Sequence, residues 1–129
     1  MYGINLTVDC SMDEAEHRVV TALKEEGFGV LTEIDIKGVL KKKINVDRKP
    51  YKILGVCNPV LANKALQAEP DLGLLLPCNI VIREEENGST TVAMVDPAAM
   101  FSIIDKPEME GMAKEVRKSF ERVMAAIKS

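Results

Sequence analysis

The sequence contains no tryptophan and one histidine, His17, among 129 residues, and aromatic residues make up 4% of it. Proteins that bind single-stranded nucleic acid stack bases on aromatic side chains beside basic ones, and residues 37–50, which include most of the basic block, hold no aromatic residue. The net charge of −3 provides no general attraction to phosphate backbones or anionic lipids. We therefore expect neither nucleic acid nor a membrane as a partner.

Long apolar runs, a basic N-terminal segment and paired cysteines are also missing. No apolar stretch approaches the roughly 20 residues that cross a bilayer, and residues 1–5 do not begin a secretory signal. The three cysteines (Cys10, Cys57 and Cys78) form no CxxC pair, and with a single histidine they are a poor set of zinc ligands. We expect free thiols, a cytoplasmic location and no metal site.

Glycine-rich phosphate loops are absent too, so the sequence indicates no particular cofactor. Gly27-Phe28-Gly29 lacks the rest of the dinucleotide fingerprint and follows a predicted helix instead of a strand. No complete catalytic motif is present, and whether the protein is an enzyme stays open at this point.

The spacing of apolar residues predicts one α/β domain over residues 1–129. The chain is 47% hydrophobic and 29% charged, as is typical of a globular domain. The element order is β-α-β-α-β-α-β-β-α-α, with a hairpin at Asn87-Gly88. It predicts a single-layer, mixed and partly antiparallel five-stranded sheet packed with helices. Predicted strands cover 2–8, 28–36, 51–56, 74–84 and 90–95, and predicted helices follow Ser11, Ile36, Asn58, Asp96 and Lys106.

Two short phrases place a cysteine directly before an asparagine at a strand position, Cys57-Asn58 and Cys78-Asn79. Asn58-Pro59 is a strong helix-start signal, so a thiolate at Cys57 would lie near the positive end of a helix dipole, which lowers thiol pKa values. The alternative is packing, because free cysteine is among the most buried residue types and Cys78 is in register with apolar neighbours.

Basic residues are concentrated in residues 37–52, which carry seven basic groups and one acidic group. This block, which includes Lys43, is either a solvated helix face or an edge that binds anions. Glu33 and Asp35 share the other face of the second predicted strand, where a solvated strand face is the favoured interpretation. The methionines could join cysteine around Cu(I), but packing explains them better because three lie on the stripe of the last helix.

Six phrases of the chain, at residues 32–35, 40–43, 51–59, 65–70, 73–79 and 95–97, form a recognisable set. Together they resemble the domain-of-unknown-function family numbered 302, over nearly the whole chain. The resemblance implies a small α/β domain that forms homodimers and whose biochemical role is not established. At Asn63 the chain departs from relatives that often carry an aromatic residue or histidine there. The motif residues that carry over are Glu33, Asp35, Lys43, Tyr51, Gly55, Cys57, Asn58, Pro59, Pro77, Cys78 and Asn79.

Three functions from different classes fit these observations. The first is a small-ligand binding domain, with an anion as one candidate ligand, whose site includes Glu33, Lys43, Cys57, Asn58, Cys78 and Asn79. The second is a thiol-dependent enzyme or redox module that uses Cys57, with Cys78 as its partner. The third is an interaction module that works through a homodimer surface, with the last helix as one candidate.

Overall fold

The computed structural model describes residues 2–128, and its elements follow the predicted order. The strands are β1 (Gly3–Val8), β2 (Gly29–Asp35), β3 (Tyr51–Cys57), β4 (Cys78–Glu84) and β5 (Thr90–Val95). The helices are α1 (Met12–Glu25), α2 (Ile36–Ile44), α3 (Pro59–Ala68), α4 (Pro97–Phe101) and α5 (Pro107–Ile127). A 3-10 helix covers Pro70–Leu75 between α3 and β4. The predicted fold class, helices packed on a five-stranded sheet, is confirmed.

The strand order across the sheet is β1-β5-β4-β3-β2, and every pair of neighbours is antiparallel. The prediction of a mixed sheet was therefore wrong in this detail. Apolar spacing locates a helix between two strands but does not give the direction of the second strand. Here the chain passes through α2 and returns beside β2 in the opposite sense, and the Asn87-Gly88 turn joins β4 to β5 as predicted.

The main hydrophobic core lies between one face of the sheet and helices α1 and α5. Phe120 of α5 is fully buried, and its ring lies 5.4 Å from that of Phe28. Each large apolar side chain buried in this way contributes about 1.5–3 kcal/mol. A second, smaller cluster joins α3, the 3-10 helix, α4 and α5, and consists of Ala65, Leu72, Phe101, Met109 and Ala113.

Short polar side chains fix the starts of three helices as their positions in the sequence predict. Ser11 Oγ accepts from the Glu14 amide at 3.1 Å, and Asp96 Oδ1 accepts from the Ala98 amide at 2.9 Å. Asn58 Oδ1 caps α3 in the same way. Within residues 2–128 no helix is both long enough and apolar enough to cross a membrane.

The chain before β4 differs from the prediction of a strand over 74–84. Residues 70–75 form the 3-10 helix and the strand begins at Cys78. Pro70 begins the 3-10 helix, since proline is favoured in the first turn of a helix. Pro77 lacks the amide hydrogen that pairing within a sheet requires, so the strand begins after it. Pro77 packs instead against Gly55 of β3, where an added Cβ would lie 2.6 Å from Pro77 Cγ. The absence of a side chain at Gly55 therefore lets the segment before β4 lie directly against β3.

Candidate functional site

A small cavity of about 40 Å³ lies where β3 ends and β4 begins. Val56 and Cys78 are register partners, so the antiparallel pairing places the last residue of β3, Cys57, near the first residue of β4, Cys78. The cavity lies between the two hydrophobic clusters. Its lining residues are Phe28, Val56, Cys57, Asn58, Leu61, Ala62, Ala65, Leu72, Leu76, Cys78, Phe101, Met112 and Val116.

The size and lining of the cavity restrict what it can hold. Its volume is about 40 Å³, whereas an engineered protein cavity that takes benzene measures roughly 150 Å³. The lining is hydrocarbon and sulfur apart from Asn58, and it includes no Lys, Arg, Asp or Glu side chain. An occupant with a net charge would lose its hydration without a compensating partner. The cavity therefore suits an occupant of few atoms whose bound form carries no net charge.

Both cysteines that border the cavity are protonated thiols at neutral pH. Burial raises the pKa of Cys57, which is half-buried. Burial raises the pKa of Cys78 to about 11, and negative charge on Cys57 contributes to that shift. The helix dipole at α3 was expected to lower the pKa of Cys57. Desolvation acts in the opposite direction and dominates, because the half-buried Cys57 lies partly among apolar side chains.

The start of α3 beside Cys57 has its backbone donors already engaged. Asn58 Oδ1 accepts from the amides of Val60 and Leu61 at 3.1 and 3.2 Å. Pro59 has no amide hydrogen, and the Ala62 amide donates to the Asn58 carbonyl at 2.8 Å. Helix N-termini bind anions through free amides. The first turn of α3 thus offers an anion no amide that is not already bonded within the chain.

The structure brings three of the six residues predicted for ligand binding to this cavity, Cys57, Asn58 and Cys78. The other three lie elsewhere. Glu33 is exposed on β2, where its carboxylate pairs with Lys52 at 2.8 Å. Lys43 is exposed on α2, and Asn79 is exposed on β4 opposite Gly55.

Lys52 has a structural role that the sequence did not indicate. Its Nζ lies 2.7 Å from Glu16 Oε1 of α1 and 2.8 Å from Glu33 Oε1 of β2. Hydrogen bonds to these two carboxylates raise the pKa of Lys52. The ammonium group therefore ties α1 to the edge of the sheet, and Glu33 is one of its two partners.

Most residues of the cavity were missed by sequence reasoning because they are apolar. Leu72 and Phe101 are buried residues of a helical pattern, and such residues look the same whether they fill a core or border a cavity. Met112 was considered as one of several methionines that could join cysteine around Cu(I), but packing on the apolar stripe of α5 was the favoured interpretation. The sequence signal for the cavity was the pair of Cys-Asn phrases. These phrases indicate the strand ends beside the cavity but not the helical residues that line its other side.

Among residues 2–128, no group of three or more His, Cys, Asp or Glu side chains is placed to hold a metal ion. His17 is exposed on α1, as its position opposite the apolar stripe predicts. Zinc in structural sites takes four such ligands, and catalytic zinc takes three. The described part of the chain therefore offers zinc no site of the usual kind.

Comparison with known proteins gives a family and a fold. A family model described as "Domain of unknown function DUF302" matches residues 4–127. The crystal structure of the uncharacterized conserved protein DUF302 from Bacillus stearothermophilus has a TM-score of 0.92 with this chain. The two sequences are 30% identical, and the match covers 99% of each chain. None of the curated proteins matches this chain.

Proposed function

The chain belongs to the DUF302 family of domains of unknown function, and we propose that it binds a small ligand in the cavity between Cys57 and Cys78. The observation that carries the proposal is that two cysteines and an apolar wall line one cavity where β3 ends and β4 begins. The Pro77–Gly55 contact holds this end of the sheet in place without filling the cavity. The residues of the two Cys-Asn phrases at this end of the sheet therefore support a binding site as well as packing.

The apolar lining supports a ligand whose bound form carries no net charge and argues against an anion. The first-turn amides of α3 are engaged by Asn58, and the lysines of α2 do not reach the cavity. Phosphate or a carboxylate would therefore enter without a donor or a positive charge to replace water. The proposed ligand is a species of few heavy atoms, or the narrow end of a larger molecule.

Filling the cavity is expected to abolish binding of a small apolar probe. Ala62 of α3 lines the cavity and is half-buried, so Ala62→Leu places three carbon atoms in or beside it. We expect xenon to shift the NMR signals of the lining residues of the wild-type protein and to leave them unchanged in Ala62→Leu. Phosphate at the same concentration should shift none of them.

The control is Asn63→Leu, which places the same leucine side chain on the next residue of α3, at an exposed position outside the cavity. This variant should respond to xenon like the wild type. Xenon shifts that persist in Ala62→Leu, or an absence of shifts in the wild type, would contradict the proposed binding site.

The raised thiol pKa values give no support to a thiol-dependent enzyme. Activated cysteines have lowered pKa values and electropositive surroundings. At Cys57 the direction is the reverse, and no basic side chain lines the cavity. The three cysteines are free thiols, a state that a reducing cytosol maintains, and this supports the cytoplasmic location that we propose.

A second candidate function, self-association, is favoured by exposed apolar residues on β2 and α2. Every residue of the edge strand β2 is exposed, including Leu31 at 63%. Unpaired edge strands with apolar side chains commonly pair with another chain. We call this the β2–α2 surface, and its exposed apolar members are Val30, Leu31, Ile34, Val39 and Ile44. Helix α5, the surface considered from the sequence, instead buries its apolar residues within the chain.

A charge on the β2–α2 surface is expected to weaken a homodimer. Leu31→Lys should raise the dimer dissociation constant at least about 10-fold, the equivalent of roughly 1.4 kcal/mol, as measured by sedimentation. The control is Leu74→Lys, which changes an equally apolar residue that is 86% exposed on the 3-10 helix. A monomeric wild type, or equal weakening by both variants, would rule out this surface as the interface.

A further inference from the structure

Three sulfur-containing residues from three separate elements line the cavity. Cys57 ends β3, Cys78 begins β4, and Met112 lies in the second turn of α5. These segments are far apart in the sequence, so the tertiary fold alone brings the two cysteines and the methionine to one cavity. Cys10 is the third cysteine, and it lies outside the cavity, next to the main core.

The residues that line the cavity favour soft cations, because their metal-binding atoms are sulfur and they offer few oxygen or nitrogen ligands. Thiolate and thioether ligands favour soft ions such as Cu(I), whereas Mg²⁺ and Ca²⁺ require oxygen ligands. The side-chain oxygen at the cavity, Asn58 Oδ1, already accepts two backbone hydrogen bonds. Zinc would need further nitrogen, sulfur or carboxylate ligands, which the described residues do not bring to this place.

We propose that the cavity binds a soft monovalent cation, Cu(I), through Cys57, Cys78 and Met112. The inference rests on the proposed function, because it names the class of ligand for the same cavity. An ion matches the small volume, about 40 Å³, better than an organic molecule does.

The charge balance of the bound state fits the apolar surroundings. Cu⁺ replaces the proton of one thiol, so one S–H bond breaks, one S–Cu bond forms and one proton leaves to solvent. The resulting centre is neutral, and the second thiol and the thioether bind through sulfur lone pairs. No electron is transferred, so copper must arrive already reduced. Cys57 is the more exposed thiol and the one expected to lose its proton.

The test is anaerobic titration of the purified wild-type protein with Cu(I) in competition with a chromophoric Cu(I) chelator. We expect one ion per chain, a thiolate-to-copper absorption band in the near ultraviolet and release of one proton. Cys57→Ser should lower the affinity by on the order of 100-fold or more, because loss of an outer-shell partner alone costs about 10–100-fold. Met112→Leu, which preserves side-chain size, should lower it by about 10-fold.

Cys10→Ser is the matched control, since it removes a thiol outside the cavity and should leave the affinity unchanged. The test uses Cys57 and Met112 and not the buried Cys78, whose substitution could destabilise the fold. Cys57 is half-buried and Met112→Leu is close to isosteric, so both variants should remain folded. No retained copper in the wild type, or equal retention in Cys57→Ser and the wild type, would overturn the inference. If xenon still shifts the lining residues while copper is not retained, the metal inference fails and the proposed cavity site stands. If neither binds, both fail.

Discussion

Leu72→Ala is expected to lower the free energy of unfolding by about 2–5 kcal/mol and, at the same time, to enlarge the cavity between Cys57 and Cys78. Leu72 is 1% exposed, belongs to the smaller hydrophobic cluster and lines the cavity. Truncation removes three carbon atoms from a site bounded by other elements, so the loss combines the transfer free energy with an unfilled volume. Urea unfolding of the wild type and variant measures the difference.

The neighbouring residue Leu74 provides the control for this prediction. It lies in the same 3-10 helix but is 86% exposed, so Leu74→Ala should change stability by no more than about 0.5 kcal/mol. Benzene should raise the melting temperature of Leu72→Ala and not that of the wild type, whose cavity is too small. A loss below about 1 kcal/mol for Leu72→Ala, or the same benzene effect in both proteins, would mean that Leu72 does not form a wall of the cavity.

Alkylation of Cys78 in the native protein at neutral pH is expected to be at least about 100-fold slower than in the unfolded chain. Burial raises the pKa of this thiol from 9.0 to about 11, and two pKa units lower the thiolate fraction by that factor. Burial of the sulfur slows the reaction further. Mass spectrometry of iodoacetamide-treated protein, native and in urea, measures the two rates for the peptide that contains Cys78.

The same pKa shift predicts a loss of stability at alkaline pH. The folded pKa is higher than the unfolded one, so the contribution of the protonated thiol is complete below about pH 9 and is lost as pH rises toward 11. A shift of this size corresponds to a loss on the order of 2 kcal/mol. Cys78→Ala should show a smaller decline over this window, and Cys10→Ala should decline like the wild type. Fast alkylation at pH 7, or an identical pH profile for Cys78→Ala, would contradict burial of Cys78.

The elements that sequence reasoning located correctly are those with local physical causes. Ser11, Asn58 and Asp96 cap helices because their side chains reach amides two or three residues away. The turn at Asn87-Gly88 has a glycine with φ of 87°, which few other residues tolerate. The 21-residue helix α5 follows from the regular spacing of its apolar residues.

The errors concern features that depend on distant partners. Three predictions were wrong: the strand direction, the start of β4 and the lowering of the Cys57 pKa. Each of these features depends on contacts with other parts of the chain. The local signal at Cys57 was the helix dipole, but partial burial of the thiol raises its pKa and outweighs the dipole. Glu33 looked like a site residue from the sequence, yet its carboxylate pairs with Lys52.

By itself the sequence determined the order of the main helices and strands, several caps and turns, and the family. Short-range hydrogen bonds and side-chain periodicity depend on neighbouring residues, which is why the sequence is enough for them. Only the tertiary structure decided that Cys57, Cys78 and Met112 border one cavity and that Glu33, Lys43 and Asn79 do not. The physical reason is that the cavity arises from imperfect filling between elements remote in the chain, and no local pattern records the space that several packed surfaces leave between them.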